Sequence, residues 1–206
     1  MVYESVIFDL DGTLWDSTAQ VAESWNLSLR RMGVEKPEFD AGDIAGIMGM
    51  TEAQIADKLF RPALGAEAER VCALCLAEEV EYIAQYGGRL YDGVTELLTG
   101  LAPRKLCIVS NCQAGYIEAF LKFTGFSARF TDFECIGNSG LSKAENIRLV
   151  IARNALTKPV YVGDTASDEK SAAAAGCPFI HASYGFGQAE APLHRISCPR
   201  ELFEYV

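Results

Sequence analysis

The stretch "VIFDLDGTLWDS", residues Val6 to Ser17, decides the fold and raises the first chemical question. Its apolar start is rich in β-forming residues, which predicts a buried strand over residues 5–10. Asp9 and Asp11 stand two positions apart, so in an extended chain both carboxyl groups would face one site. Two carboxylates at one site repel each other, and a divalent cation such as Mg²⁺ would offset that repulsion.

The second half of the chain alternates between predicted strands and helices. The pattern predicts strands over 105–111, 130–137, 159–164 and 178–183, and helices over 94–101, 114–125, 142–155 and 167–176. Such alternation is typical of βαβ units, which build a parallel sheet with helices on both faces. We therefore predict an α/β fold with a doubly wound, mostly parallel, Rossmann-like sheet.

An all-helical insert is predicted between the first strand and this alternating region. Apolar residues at helical spacing cover 17–33, 51–60 and 65–88, with Thr51 as a predicted N-cap. The boundaries predicted from this pattern are a core domain formed by 1–15 together with 88–206, and a cap domain formed by 16–87.

Composition narrows the range of functions. The 206-residue chain is 50% hydrophobic and carries a net charge of −10, which excludes binding of nucleic acid or an anionic membrane by bulk attraction. The amino terminus lacks the basic region of a signal peptide, and no apolar run approaches the length of a membrane span. The seven cysteines are scattered through apolar runs, which indicates reduced thiols and a cytoplasmic location.

Polar side chains follow the predicted strands where a ligand site is expected. In an open parallel sheet, ligands bind at the carboxyl ends of the strands. The candidates there, with a lysine at the start of a helix, are Asp9, Asp11, Ser110, Asn111, Lys143, Asp164 and Asp168. Each also has a purely structural interpretation: an Asp-Gly turn, a helix cap, or a solvated helix charge.

These residues resemble the motifs of the haloacid dehalogenase-like (HAD) hydrolase superfamily, in particular its phosphoglycolate phosphatase-like branch with a helical (C1-type) cap. The segment "DLDGTLWDS" matches D-x-D-G-T-L-x-D-S, "VSN" at 109–111 matches the second motif, and "GDTASD" at 163–168 matches the fourth. Lys143 stands in the position of the third motif, although "SKAENI" lacks the prolines that follow this lysine in many relatives. Lys158, which precedes a strand, is the alternative lysine.

The resemblance implies a division of tasks among these residues. Asp9 would attack phosphorus, Asp11 would transfer the proton, and Ser110 and Lys143 would hold the phosphoryl group. Asp9 and Asp164 would bind Mg²⁺ by their carboxylates and Asp11 by its main-chain oxygen. Asp168 would orient Lys143 or a metal-bound water. The implied activity is Mg²⁺-dependent hydrolysis of a small phosphate monoester, such as a phosphoglycolate-like compound or a sugar phosphate, through an aspartyl phosphate.

Further predictions concern the residues beside these motifs. Gly12, Thr13 and Asn111 are expected to contact the substrate, and the Thr13 hydroxyl is expected to hydrogen-bond Asp11. Asp16 and Ser17 are expected to form a hinge and the N-cap of the first cap helix.

The cap is the expected source of specificity. The segment 45–52, "AGIMGMTE", is a candidate substrate loop, and it contains no Lys or Arg that could bind a substrate carboxylate. Arg30, Arg31 and Arg61 are the candidate cations elsewhere in the cap. His181 and His194 are expected to be structural. The physiological substrate and the oligomeric state are not defined by the sequence.

Two alternatives remain open at this point. A β-phosphoglucomutase-like phosphotransferase would use the same two aspartates and return the phosphoryl group to a sugar. A phospho-aspartate receiver domain would place its acids differently and would lack the helical insert.

Overall fold

The computed structural model describes residues 3–206. Within this range the strands are β1 (Ser5–Phe8), β2 (Trp15–Asp16), β3 (Arg89–Leu90), β4 (Lys105–Ser110), β5 (Asp132–Cys135), β6 (Pro159–Gly163), β7 (Phe179–Ala182) and β8 (His194–Ile196). One sheet has the order β5-β4-β1-β6-β7-β8, and every neighbouring pair in it is parallel. The predicted parallel α/β sheet is confirmed.

Helices occupy most of the remaining chain. Between β2 and β3 lie α1 (Thr18–Arg31), α2 (Ala41–Ala45), α3 (Glu52–Ile55), α4 (Arg61–Leu64) and α5 (Ala68–Tyr86). After β3 come α6 (Val94–Gly100), α7 (Tyr116–Thr124), α8 (Ile136–Ser139), α9 (Lys143–Arg153) and α10 (Ala166–Ala175). A π-helical segment covers Ala56–Phe60, and 3₁₀ turns cover Gly65–Glu67, Ser127–Arg129 and Pro199–Glu204. We call α1 to α5 the helical cap.

The two faces of the sheet pack into two separate apolar cores. Successive strand residues point to opposite faces, so in β1 Phe8 lies in the larger core and Ile7 in the smaller one. The larger core includes Phe120 of α7, and the smaller one includes Ile147 of α9 and Ala172 of α10. Helices therefore cover both faces, as expected for a doubly wound sheet.

The helical cap contains an aromatic cluster and is continuous with the larger core. Trp25 packs edge-on against Phe39 with ring centroids 5.6 Å apart, and it packs against Phe60 at 5.5 Å. Helix α5 packs against α1 within the cap and against α7 of the core. One face of α5 thus fixes the cap against the carboxyl edge of the sheet, the side on which a ligand site is expected.

Two short strands connect the cap to the core. β2 leads into α1 and β3 follows α5, and the two pair antiparallel with Trp15 opposite Leu90 and Asp16 opposite Arg89. The chain therefore leaves and re-enters the core at one place.

The described part of the chain contains no helix that is both long enough and apolar enough to cross a membrane. All seven cysteines are free. Burial raises the pKa of the Cys72 and Cys75 thiols on α5 to about 12, which keeps them protonated and unreactive.

Candidate active site

Three strand ends bring the predicted site residues to one edge of the sheet. Asp9 directly follows β1, Ser110 is the last residue of β4, and Asp164 directly follows β6. Because β1 lies between β4 and β6 and is parallel to both, the three carboxyl ends meet. All three side chains are buried.

Lys143, the first residue of α9, forms a buried pair of ionic contacts at this edge. Its Nζ lies 3.0 Å from Oδ1 of Asp9 and 2.6 Å from Oδ1 of Asp168. Burial disfavours the ammonium, but the two carboxylates raise the pKa of Lys143 above its ordinary value. Lys158, the alternative lysine, lies on the surface at the opposite end of β6 and pairs with Glu4.

Three carboxyl groups lie together at this edge of the sheet, beside the Lys143 ammonium. Oxygens of Asp9, Asp164 and Asp168 all lie within 4.8 Å of one another, and all three residues are buried. Burial and the Asp168 carboxylate raise the pKa of Asp9 well above its ordinary value and that of Asp164 to about 7. Oδ1 of Asp164 is buried without a hydrogen-bond partner. This orphaned oxygen, in a set of hard carboxylate donors, fits a divalent cation such as Mg²⁺.

Asp168 combines two tasks that sequence reasoning treated as alternatives. Its Oδ2 accepts from the Thr165 N–H at 2.9 Å and from the Thr165 hydroxyl at 2.6 Å, in the capping box of α10. Its Oδ1 binds Lys143. Burial alone would raise the pKa of Asp168, but the Lys143 ammonium and these hydrogen bonds hold it below its ordinary value. The helix cap thus fixes the carboxylate that positions the lysine.

Asp11 is held by three donors that all reach the same oxygen. Oδ1 accepts from Trp15 Nε1 at 2.9 Å, from the Ser17 hydroxyl at 2.6 Å and from the Tyr116 hydroxyl at 3.0 Å. Burial raises the pKa of Asp11 to about 6, although the three hydrogen bonds oppose that rise. Oδ2 stays outside this network, so one oxygen is anchored while the other can carry a proton.

The carboxyl groups of Asp9 and Asp11 line one cavity, but strand alternation is not the reason. The strand ends at Phe8, and Asp11 lies in a tight turn in which the Leu10 carbonyl accepts from three following N–H groups. The predicted hydrogen bond from Thr13 to Asp11 is wrong, because the Thr13 hydroxyl is buried without a partner.

The predicted N-cap at Asp16 and Ser17 is confirmed in position, but Asp16 supplies the capping oxygen. Ser17 stands at the N-cap position of α1, but its hydroxyl donates to Asp11 and makes no cap hydrogen bond. Oδ1 of Asp16 accepts from the Thr18 N–H at 3.0 Å and from the Thr18 hydroxyl at 2.6 Å. Asp16 therefore accepts a hydrogen bond from a free N–H at the start of α1, and Ser17 binds Asp11.

Gly12 allows the turn to approach Asp164. Its φ of +82° favours glycine, and a Cβ at this position would lie 2.3 Å from Oδ2 of Asp164. The loop after β7 approaches from the other side: a Cβ on Gly185 would lie 2.2 Å from the Gly12 carbonyl. The Phe186 N–H donates to Oδ2 of Asp164 at 2.8 Å. This loop was not among the predicted site segments, although its two glycines after a predicted strand were a signal.

His181 supports Asp164 from behind the site. Its Nε2 lies 3.0 Å from the Asp164 carbonyl, and its Nδ1 lies 2.8 Å from Nη1 of Arg195. A guanidinium only donates, so Nδ1 accepts, and Nε2 donates to the carbonyl. This contact is structural, as predicted for His181.

A cavity of about 60 Å³ lies between the sheet edge and the cap. The core contributes Asp9, Asp11 and Ser110 to its walls, and the cap contributes residues 47–50 and Glu79. The predicted substrate loop is therefore placed at the cavity. The lining therefore combines the carboxyl groups of Asp9 and Asp11 with largely apolar side chains of the cap.

Asn111 ties the cap loop to the core. Its Nδ2 donates to the Gly49 carbonyl at 2.8 Å, which also fixes the orientation of the amide. Its Oδ1 is buried without a partner. Gly49 also lies against Thr165, since a Cβ on this glycine would be 3.5 Å from the threonine methyl. The loop thus touches two strand ends at once.

Glu79 of α5 is a cavity residue that sequence reasoning missed. It is 4% exposed and accepts hydrogen bonds from Trp25 Nε1 and, at 3.0 Å, from Gln113 Nε2. Burial raises the pKa of Glu79 to about 8, with a further contribution from Asp11. Its position on the apolar side of α5, between the buried Leu76 and Ile83, was the available signal.

Comparison with known proteins gives a family match over most of the chain. The model of the family described as "Haloacid dehalogenase-like hydrolase" matches residues 6–182. A phosphoglycolate phosphatase of Synechococcus elongatus is 27% identical, and the alignment covers 98% of this chain and 92% of that protein.

A second relative has a different name and a longer chain. The tyrosine-protein kinase PtkA of Mycobacterium tuberculosis is 29% identical over 90% of this chain, which spans only 64% of the kinase. Among solved structures, a haloacid dehalogenase-like family hydrolase of Streptococcus pneumoniae superposes with a TM-score of 0.80. It is 23% identical, and the match covers 99% of this chain and 98% of that one. This structural likeness shows the fold.

Proposed function

Since the chain belongs to the haloacid dehalogenase-like hydrolase family, we propose that it is a Mg²⁺-dependent phosphatase that hydrolyses a small phosphate monoester through an aspartyl phosphate. One observation carries the proposal: Asp9 lies 3.0 Å from the Lys143 ammonium, in one acidic cluster with Asp164 and its unpartnered oxygen. A buried nucleophile, a neighbouring ammonium and a carboxylate oxygen of Asp164 that is free to bind a metal ion together suit attack on a phosphate dianion.

The first half-reaction forms a covalent intermediate. An Asp9 carboxylate oxygen attacks phosphorus, a new P–O bond forms, and the bond to the leaving alcohol breaks. Asp11 gives its proton to the departing alkoxide from the oxygen that its three anchors leave unused. Its raised pKa of about 6 favours a carboxyl group that holds a proton close to neutral pH.

The second half-reaction reverses these roles. The Asp11 carboxylate takes a proton from water, the water oxygen attacks phosphorus, and the bond to Asp9 breaks. Inorganic phosphate leaves, and both aspartates return to their starting state.

In this proposal Asp9 and Asp164 would hold Mg²⁺ by their carboxylates and Asp11 by its main-chain oxygen. The ion would neutralise charge on the phosphoryl oxygens. Asp168 would keep Lys143 directed at Asp9, where the ammonium can contact a phosphoryl oxygen.

Other phosphoryl contacts are proposed for the residues around the turn. Ser110 would donate its hydroxyl, and the main chain at Gly12 would approach the phosphate closely because glycine has no side chain. The buried, unpartnered Thr13 hydroxyl would complete the set, while the Asn111 side-chain oxygen, an acceptor, would contact the leaving group.

The helical cap would close this site from water. We assign residues 16–87 to a cap domain and 1–15 with 88–206 to a core domain, of which residues 1 and 2 lie outside the described range. The β2–β3 pair is the hinge in this proposal, because it forms both connections between the two domains. The partner is a small phosphorylated metabolite.

The test uses p-nitrophenyl phosphate and the smaller acetyl phosphate. We expect release of inorganic phosphate that requires Mg²⁺ and stops with EDTA. Asp9→Asn should lower kcat by at least about 10³-fold, because an amide cannot act as the nucleophile. Asp57→Asn, an exposed cap carboxylate, is the matched control and should retain activity.

Full activity in Asp9→Asn would exclude this nucleophile. The phosphotransferase alternative predicts a different product, because the phosphoryl group would appear on an added sugar phosphate in place of inorganic phosphate. Stable labelling by acetyl phosphate without turnover would favour the receiver-type function.

A further inference from the structure

The cap side of the cavity presents hydrogen-bond acceptors in an apolar wall. Glu79 is the acidic residue that the cap contributes to the lining, and Ile44, Met48 and Met50 are among its apolar cap residues. In the closed arrangement, the leaving group of a phosphate ester bound at Asp9 would point into this space. The chemistry of this wall therefore selects the leaving group.

Glu79 is fixed in place by donors from both sides of the cavity. Trp25 of the cap donates to Oε2, and Gln113 of the core donates to Oε1 at 3.0 Å. The Gln113 amide also donates to the Leu76 carbonyl at 3.2 Å, so its orientation is set. Each carboxyl oxygen of Glu79 can still accept one more hydrogen bond.

Asn111 adds a second acceptor. Its amide nitrogen is engaged by the Gly49 carbonyl, while Oδ1 is buried and unpartnered. Buried polar atoms of native proteins almost always have a partner, so this oxygen indicates a donor on the ligand.

The cations of the cap are directed away from the cavity. Arg31 pairs with Glu78 on the outer surface, and Arg61 pairs with Asp57 and Glu69. Within residues 3–206, no Lys or Arg side chain lines the cavity.

Three further basic residues also lie outside the cavity wall. Arg30 is exposed, and Lys58 donates to the Gly46 carbonyl at 2.7 Å, outside the cavity wall. Lys143 lies at the phosphate end, already between two aspartates. A carboxylate on the leaving group would therefore lose its hydration against an apolar wall without a cation to offset its charge, which is unfavourable.

The cavity volume favours a small leaving group. Its volume of about 60 Å³ is several times the roughly 10–15 Å³ that one water molecule requires, so a leaving group of a few non-hydrogen atoms fits.

We infer that the substrate is a phosphate monoester of a short, uncharged alcohol with a second hydroxyl group, which Glu79 and Asn111 bind, and not an ester whose leaving group carries a carboxylate. A hydroxyl suits Glu79 in either protonation state, because it can donate to the carboxylate or accept from the acid. The inference rests on the proposed function and specifies its substrate class.

The test compares three esters of matched size. 2-Hydroxyethyl phosphate has the hydroxyl, 2-phosphoglycolate has a carboxylate in its place, and ethyl phosphate has neither. We expect kcat/KM for hydroxyethyl phosphate to exceed that for phosphoglycolate and that for ethyl phosphate by at least about 10-fold each. Calorimetric titration of the Asp9→Asn protein with the same esters and Mg²⁺ measures the preference without turnover.

Two cap variants sharpen the test. Met50→Lys places an ammonium at the rim of the same wall and should invert the preference by raising kcat/KM for phosphoglycolate. Glu79→Gln should reduce the discrimination against phosphoglycolate above about pH 8, where wild-type Glu79 carries a negative charge that the amide lacks. Glu78→Gln, one position along the same helix and outside this cavity, should leave the ratio unchanged.

The outcomes separate the two proposals. If phosphoglycolate binds more tightly than hydroxyethyl phosphate and is hydrolysed with a higher kcat/KM, the inference about the leaving group is overturned while the phosphatase assignment stands. If hydroxyethyl phosphate binds preferentially but no ester is hydrolysed with Mg²⁺, the pocket is as inferred and the phosphatase assignment fails.

Discussion

The two walls of the cavity are built in different ways. On the core side, Asp9 lines the cavity, and behind it Lys143 and Asp168 complete a buried ionic chain with contacts of 3.0 and 2.6 Å. On the cap side, Met48 and Met50 present half-buried apolar side chains on a loop.

The two walls should therefore differ in how much a substitution lowers the free energy of unfolding. Removing one member of a buried ionic group leaves an uncompensated charge, at a cost of about 3–5 kcal/mol. A flexible methionine on a loop can be exchanged with a much smaller loss of stability. The core wall can therefore maintain one reaction while the cap wall changes the substrate.

The largest expected effect is that of Lys143→Met on the core wall. It leaves Asp9 and Asp168 without their cation, so we expect the free energy of unfolding to fall by about 3–5 kcal/mol. Activity should fall by at least about 10²-fold, because a phosphoryl contact is lost as well. Urea unfolding and steady-state kinetics measure the two effects.

Lys158→Met is the matched control, since this lysine pairs with Glu4 on the surface and should cost less than about 1 kcal/mol. In the double variant Lys143→Met, Asp168→Asn, stability should partly recover while activity does not. Normal activity in Lys143→Met would show that the ionic chain is not part of the reaction.

A smaller effect is expected when one anchor of Asp11 is removed. Ser17→Ala deletes the donor 2.6 Å from Oδ1, and this hydrogen bond lowers the pKa of Asp11. Without it the pKa rises above its value of about 6. Alcohol release slows at high pH, where Asp11 has lost its proton. This fall in rate should therefore begin at a higher pH in the variant. The rate should fall by about 10-fold in single-turnover measurements.

Ser28→Ala, a buried serine farther along α1, serves as the control for that profile. An unchanged pH profile in Ser17→Ala would contradict the assignment of Asp11 as the proton donor.

The smallest expected effect concerns the acid in the cap wall. Folding raises the pKa of Glu79 from 4.5 to about 8, so between these values the folded protein holds a proton that the unfolded chain has lost. The stability contributed by Glu79 is therefore fully present below about pH 4.5 and is lost as pH rises through about 8. The difference in unfolding free energy between wild type and Glu79→Gln should shrink over this range.

Glu78→Gln, on the exposed side of the same helix, is the matched control for urea titrations at the two ends of the range. A difference that stays constant with pH would show that Glu79 is not held in its protonated form by the fold.

Much of the core wall could be predicted from the sequence, because its residues stand at strand ends. Asp9, Ser110 and Asp164 follow apolar runs that are long enough to identify, and parallel pairing then brings them together. The two-residue strands β2 and β3 and the short β8 carry too little periodicity for such a prediction.

The remaining contacts depend on tertiary placement. The anchoring of Asp11 by Tyr116 joins residues 105 positions apart, and no local pattern encodes it. Thr13 stands two positions from the acid it was predicted to bind, but in the folded turn its hydroxyl is buried without a partner. In the sequence, Glu79 does not differ from the other acids of its helix. Its burial follows from the packing of α5 against α7.

The central claim is that Asp9 carries the phosphoryl group, and chemical trapping tests it most directly. The protein is mixed with acetyl phosphate and Mg²⁺, quenched in acid during turnover, and reduced with borohydride, which converts an aspartyl phosphate to homoserine. Peptide mass spectrometry should then find homoserine at position 9 alone. Homoserine at Asp11, Asp164 or Asp168, or turnover without any converted aspartate, would contradict the account.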